Sequence, residues 1–390
     1  MHSETESIEQ FRARARAWLA GSDIPVVDED LDARFTVLRR WQKTLYDAGW
    51  LGIGWSTDPG GPGRGPLHRL VFAEELARAG APSPIGLIGL EVVGPSIDRY
   101  GTDAQRSELL PRLLSGDDIW CQGFSEPGAG SDLASLRTRA VVDGDDFVVS
   151  GQKIWTSWAH EAHWCALLVR TDTTVRKQSG ISYLLVDMSS PGITTRRIEQ
   201  MTGDREFCEV FFDDVRVPSS RLLGAVNEGW AIASHTLGSE RASAAVRRRV
   251  ECEVALGEAI TELRTHLAAV PESSERRQRI TATLGRCYAA LRTLDGQTRR
   301  TTTRLVDGVG PTPVDSVDKL LLTHVEQLVF GDLAQLLGPL RAVPDAQPLG
   351  LPSGRWAREH LYSRAASIYG GSSQIQRTIV AEKLLGLPRG

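Results

Sequence analysis

The chain has 390 residues, 41% of them hydrophobic and 24% charged, with a formal net charge of −4. That composition is globular and long enough for two or three domains, which excludes a disordered chain. Basic residues are dispersed through helical segments, so nucleic acid is excluded as a partner, and Arg247-Arg248-Arg249 reads as a solvated helix face.

Residues 8–20 place Ile8, Phe11, Ala15, Trp18 and Leu19 at helical spacing, and residues 31–48 do the same with Leu31, Phe35, Leu38, Trp41, Leu45 and Ala48. Gly49 punctuates the second helix, and Asp58-Pro59-Gly60-Gly61-Pro62-Gly63 reads as a loop. A helix resumes from Leu67 to Ala79. Pro82, Pro84, Gly86 and Gly89 then interrupt an apolar segment before a helical stretch near Val92 to Tyr100. Residues 1–118 therefore read as a helical domain. Met1 to Gln10 lacks a charged region followed by an apolar run, and no eighteen-residue apolar stretch follows, so a cytoplasmic chain with no membrane span is expected.

Between residues 119 and 226 the texture changes to short β-branched and aromatic runs: Ala140–Val142, Phe147–Val149, Trp164–Val169, Ile181–Val186 and Glu209–Phe212. Turn signals such as Asp143-Gly144-Asp145 separate them, as in an antiparallel barrel or sandwich. Over residues 227–390 the helical period returns, in Ile232–Ala255 or further, Arg276–Asp307, Ser316–Leu337, Trp356–Ala366 and Ser373–Leu385, with a loop at Arg341–Gly354. The five cysteines, Cys121, Cys165, Cys208, Cys252 and Cys287, are scattered and odd in number, which predicts reduced thiols and no metal site.

Two segments carry chemistry. Ser125-Glu126-Pro127-Gly128-Ala129-Gly130-Ser131-Asp132 combines small residues, free backbone N–H groups and hydroxyls, which suits a flat, partly anionic ligand. Gly151-Gln152-Lys153-Ile154-Trp155-Thr156-Ser157 adds an aromatic face and two hydroxyls. Alone, Trp155 would read as a core aromatic. The two segments in this order, within an α–β–α texture, resemble the acyl-CoA dehydrogenase family over essentially the whole chain. The resemblance implies a multi-domain α and β fold: an N-terminal helical domain, a middle antiparallel β domain and a C-terminal helical bundle. It also implies FAD and the α,β-desaturation of an acyl thioester, in which a carboxylate removes the α-proton and the β-hydrogen leaves as hydride to flavin N5. The thioester carbonyl must be polarised for a carboxylate to act on so weak an acid.

Carried over residue by residue, the resemblance puts Gln122, Phe124, Ser125 and Gly130 along the flavin ring, with Ser131 meeting flavin or the pantetheine arm of the substrate. Trp155, Thr156 and Ser157 match the segment that covers the flavin's other side near N5. Ile368 to Arg377 matches a second signature, in which Gly371, Ser372, Ser373 and Gln374 contact flavin. Medium- and short-chain members carry their catalytic Glu where this chain has Gly370, which can offer only a backbone N–H. Other members put the base on a helix just before an Arg, a place filled here by Glu240-Arg241, among Gly238, Ser239, Ala242 and Ser243. An ordinary helical Glu is solvated; with small neighbours leaving room for a ligand, Glu240 is assigned as base and Arg241 as a substrate contact.

Residues 264–280 lack the Arg-x-x-Phe-Gly element that holds the adenine end of FAD in homotetrameric members. Residues 274–292 and 316–335, and the closing run Gln376 to Arg389, look like the actinobacterial branch that includes steroid side-chain acyl-CoA dehydrogenases. That likeness implies lipid or steroid metabolism and a homo- or hetero-oligomer, a dimer or an α2β2 tetramer sharing FAD sites. The expected partners are an acyl-CoA and an electron-transfer acceptor. A non-catalytic partner subunit, a dehydrogenase for carrier-protein-bound acyl groups and a flavin oxidase on the same scaffold stay open as alternatives. His160, His163, His235 and His324 have no triad or metal spacing and read as surface or core residues.

Overall fold

The computed structural model describes residues 6–27, 30–56, 64–268, 271–272, 274–307, 309, 312–336 and 353–388, with backbone alone at 66, 238–244, 262, 265–267, 305–306 and 353–355. The chain folds as two compact units, one of Met1–Glu6, Gly21–Arg69 and Ala81–Glu240, the other of Ser7–Ala20, Leu70–Gly80 and Arg241–Gly390. Helices α1 (Ile8–Ala20), α2 (Leu31–Asp47) and α3 (Pro66–Arg78) form where the apolar spacing predicts them. The Asp58–Gly63 loop lies outside the described residues.

In the first unit, the Asp30 carboxylate accepts from the Ala33 N–H and caps α2. The interrupted apolar segment is a π-helical turn, Ile88–Val93, that runs on into α4 (Gly94–Tyr100); a π-turn accommodates one extra residue in a helix. Helix α5 (Asp103–Ser115) is absent from the sequence-based elements, although its ends are marked: Thr102 and Gln105 form a capping box, and Gly116 closes it at φ +79°.

The sheet holds β1 (Trp120–Gly123), β2 (Arg139–Asp143), β3 (Asp146–Ser157), β4 (Trp164–Arg170), β5 (Ile181–Asp187), β6 (Ile193–Ile198), β7 (Phe207–Pro218) and β8 (Leu222–Leu223). Its order is β6-β7-β3-β2-β4-β5-β8, with β1 on β4. Most pairs are antiparallel as expected, but β1 runs parallel to β4, as does Arg139 of β2 where it meets Arg170. Short β1 and β8, and the weakly apolar β6, were missed because they carry too little alternation to stand out from loops. Val149, Leu167, Leu184, Val186, Val210 and Val215 fill the sheet's core cluster.

The second unit is helical: the Arg241–Ala268 part of α6 (Gly229–Ala268), then α7 (Glu275–Val306), α8 (Asp315–Leu336), α9 (Ser353–Ser363) and α10 (Ser373–Ile379). Residues 341–352 of the expected loop lie outside the described residues. Leu256, Leu263, Leu291, Leu294, Val325 and Val329 form its core. Arg249, nearly buried, reaches Glu74 at 2.6 Å and Asp295 at 3.0 Å, so one guanidinium ties three segments together. Among the described residues, no helix is long and apolar enough to cross a membrane.

Candidate functional site

Gln122 stands on β1 opposite Ala166, and Phe124 follows it, buried and edge-on to the Tyr183 ring at 5.7 Å. The Gly-rich loop then closes on itself: the Glu126 and Ala129 N–H groups each donate to the other's carbonyl. Gly128, Gly130 and Ser131 stand on its outer side, where a side chain added at either glycine would meet nothing. What holds the loop is a buried ion pair. Lys153 Nζ, with no exposed surface, reaches Glu126 Oε1 at 2.8 Å and the Phe124 carbonyl at 3.1 Å. Glu126 also accepts from the N–H of Arg137 (2.6 Å) and of Thr138 (2.8 Å), and the Ile154 N–H donates to the Ser125 carbonyl at 2.9 Å. Burial pushes the Lys153 ammonium down to about 8 against the pull of Glu126. Burial also works to raise the Glu126 carboxyl, but the Lys153 charge and the Thr138 hydrogen bonds prevail and hold it below the usual range.

These contacts bring the two sequence segments together. Neither motif shows the pairing, since 27 residues separate the partners. Immediately after Lys153 the β3–β7 register slips, and Trp155 is turned out at φ +59° and 56% exposed. Trp155 is therefore no core aromatic; its ring meets Phe207 edge-on at 6.1 Å. Beside it, Thr156 Oγ1 is buried without a hydrogen-bond partner among the described residues. An exposed indole, a buried unpaired hydroxyl and the open loop fit the flavin the resemblance implies, because Thr156 lacks only an external partner.

In the second unit the signature after α9 is held from behind. Lys319 Nζ and Thr323 Oγ1 both donate to the Ala366 carbonyl, at 2.8 and 3.0 Å, and the Lys319 ammonium lies 4.1 Å from the Tyr369 ring centre. Gln376 Nε2 donates to the carbonyls of Gly370 (3.0 Å) and Gly371 (3.3 Å). Gly370 and Gly371 adopt φ +62° and +87°, and Gln376 occupies the space a Gly371 side chain would need. Neither glycine's N–H donates to a carbonyl among the described residues. Ser372 caps α10 by accepting from the Ile375 N–H, and Ser373 and Gln374 open that helix.

Glu240 and Arg241 lie on α6, but their side chains are outside the described ones. The expected histidine roles change at one place. Asp32, His160 and Glu161 gather their ligand atoms within 4.8 Å, a cluster the spacing did not predict because α2 supplies Asp32. Arg197 approaches both carboxylates, at 3.0 and 3.8 Å, so a cation already serves them. Burial and Arg197 push the His160 imidazole down to about 4. All five cysteines are buried free thiols.

Comparison with known proteins follows the same three parts of the chain. Family models match at residues 5–117 (acyl-CoA dehydrogenase, N-terminal domain), 121–215 (middle domain) and 227–385 (C-terminal domain). Acyl-CoA dehydrogenase IpdE1 of Mycobacterium tuberculosis is 38% identical over 98% of this chain and 99% of its own length. Among solved structures, the Tcur3481–Tcur3483 steroid ACAD superposes with TM-score 0.85 at 30% identity, covering 100% of this chain and 99% of that one. The ChsE4–ChsE5 complex from Mycobacterium tuberculosis superposes at 0.81 with 31% identity, covering all of both chains.

Proposed function

Because this chain belongs to the acyl-CoA dehydrogenase family, and is an FAD-dependent acyl-CoA dehydrogenase, we propose that it desaturates a bulky or branched, steroid-like acyl-CoA with Glu240 as the base. One observation carries the assignment of the base. At the C-terminal signature the chain has Gly370 in a left-handed turn that favours glycine, so no side chain there can take a proton. Glu240 is the carboxylate at the family's other base position.

In this reading, Glu240 takes the α-proton, and its carboxyl needs desolvation to become basic enough. The N–H groups of Gly370 and Gly371, whose carbonyls Gln376 holds, donate to the thioester oxygen and stabilise the charge that develops there. Phe124, Ser125, Trp155, Thr156 and Ser157 hold the flavin, helped by Gln122, Gly130 and Ser131, with Ser372, Ser373 and Gln374 contributing from the second signature. FAD, when bound, accepts the β-hydrogen as hydride. Arg241 contacts the substrate, and a dedicated acceptor protein takes the electrons. The division at 118/119 and 226/227 belongs to the same proposal, supported by the three family-model spans.

The test is Glu240→Gln in anaerobic single-turnover bleaching. FAD occupancy should be retained while the rate of flavin reduction by acyl-CoA falls about 10²- to 10⁴-fold. Unchanged bleaching rules Glu240 out.

A second reading concerns assembly. The relatives solved as the ChsE4–ChsE5 complex and as Tcur3481–Tcur3483 each pair two named chains. Together with the missing Arg-x-x-Phe-Gly element, this supports a hetero-oligomer in which a partner chain completes the adenine end of the FAD site.

A further inference from the structure

Two donors on α8 reach one carbonyl. Lys319 Nζ and Thr323 Oγ1, about one helical turn apart, donate to the Ala366 oxygen at 2.8 and 3.0 Å. A single donor keeps a buried carbonyl from being orphaned, so Thr323 alone would serve. Yet the Lys319 side chain is only 5% exposed, and burying an ammonium is far less favourable than burying a methionine of similar length in its place. The lysine therefore does something besides hold Ala366.

Its charge faces the C-terminal signature. The ammonium lies 4.1 Å from the centre of the Tyr369 ring, and a Cβ added at Gly370 would stand 3.9 Å from Nζ and 3.5 Å from Cε. The N and Cβ atoms of one residue are about 2.5 Å apart, which puts the ammonium within about 6.5 Å of the Gly370 nitrogen. The carboxylates on the same stretch of α8 accept from other groups: Asp318 from Gln297 at 2.7 Å and Thr301 at 2.5 Å, Glu326 from Arg248 at 2.6 Å. An oxygen accepting from the Gly370 N–H would thus lie within about 9.5 Å of Nζ. At an effective dielectric of about 20, a unit charge at that distance shifts the ionisation of such an oxygen by roughly tenfold or more.

We propose that Lys319 is a positioning residue for the desaturation whose buried charge stabilises the negative charge gathering on the thioester oxygen at the Gly370 N–H. As the α-proton passes to Glu240, the C–H electron pair forms the new bond toward the carbonyl carbon and the carbonyl pair moves onto the oxygen; Lys319 keeps its protons throughout. This inference rests on the desaturation reading and adds a charge to the backbone N–H groups that polarise the carbonyl.

The probe is cyclohexylthioacetyl-CoA, added to the flavin-loaded protein. Its sulfur acidifies the α-proton and takes the place of the β-carbon, so no hydride can leave and the anion accumulates, giving a long-wavelength absorbance band where it stacks on oxidised flavin. Titrating that band against pH gives the apparent pKa of the bound thioester. Lys319→Met should raise it by about one unit or more, the tenfold effect expected of the charge. Lys319→Arg should recover most of the shift, because it keeps the charge. Thr323→Val removes the other donor to the Ala366 oxygen and leaves the charge, so it should move the pKa by less than about 0.3 unit. An unmoved pKa in Lys319→Met, an equal shift in Thr323→Val, or no recovery in Lys319→Arg would each overturn the proposal. So would a Lys319→Met protein that cannot fold or hold FAD, which would make the lysine structural. If wild type gives no band at any pH, the desaturation reading fails first; a band whose pKa ignores Lys319 sinks the inference alone.

Discussion

Replacing Glu126 by Gln isolates the ion pair that joins the two cofactor segments. The substitution leaves the Lys153 ammonium fully buried without its countercharge, with neutral oxygens, the new amide's and the Phe124 carbonyl at 3.1 Å, as its acceptors. Stranding a buried charge in this way costs about 3–5 kcal/mol. Lys153→Met is milder, because the Glu126 carboxylate keeps the N–H groups of Arg137 and Thr138 at 2.6 and 2.8 Å; it should fall near the lower end of the same range. Combining the two removes both charges, and a neutral, packed pair is often no less stable than the ion pair it replaces. The double variant should therefore be more stable than Glu126→Gln alone. Urea unfolding of the flavin-free protein measures this, and at about 2–4 °C per kcal/mol for a unit of this size the single variants should melt roughly 6–20 °C lower. Additive losses in the double variant would refute the coupling. The pH dependence has a definite sign. Glu126, held below the ordinary 4.5, contributes stability above that pH and loses it as the pH falls through the lowered value. Lys153, lowered from 10.5 to about 8, has the same sign in a higher window: the folded state binds fewer protons between those values. Stability of wild type relative to Lys153→Met should therefore rise from about pH 8 to about pH 10.5.

Two further predictions concern the cofactor. Trp155→Gly relieves a left-handed residue worth about 1–3 kcal/mol of strain while removing the exposed indole. FAD affinity should fall by about tenfold or more while flavin-free stability holds or rises, and a loss of stability with unchanged affinity would show that Trp155 is a packing residue. The assembly reading predicts that the chain purified alone holds FAD substoichiometrically and fills when a second family member is co-expressed; full, tight occupancy in the chain alone would defeat it.

The order of helices, sheet and helices was legible because apolar spacing is local: Phe11, Ala15 and Leu19 are buried where a period of 3.6 puts them. The signature residues were legible as a string, but what fixes them was not. Lys153 looks like one more lysine in a polar segment until the strand register brings it under Glu126. Gln376 reads as a helix residue, although it holds the carbonyls of Gly370 and Gly371. Parallel pairing of β1 with β4 escaped for the same reason: long-range register is not written in alternation. Helix α5 is a different case, because Thr102, Gln105 and Gly116 mark both ends and an apolar count alone passed over them.

The π-turn at Ile88–Val93 works as a phase shifter. An extra residue in a helix advances every later side chain by about 100° around the axis while adding about 1.5 Å to its length. The residues of α4 thus meet α6 and Trp55 in an orientation that an uninterrupted α-helix of the same sequence would not give. A one-residue deletion there need not break the helix, yet it would turn Ser96 away from Thr236. In this stretch a change of length acts on contacts as a change of side chain does elsewhere, so a chain one residue shorter or longer here would present a different face of α4 to α6.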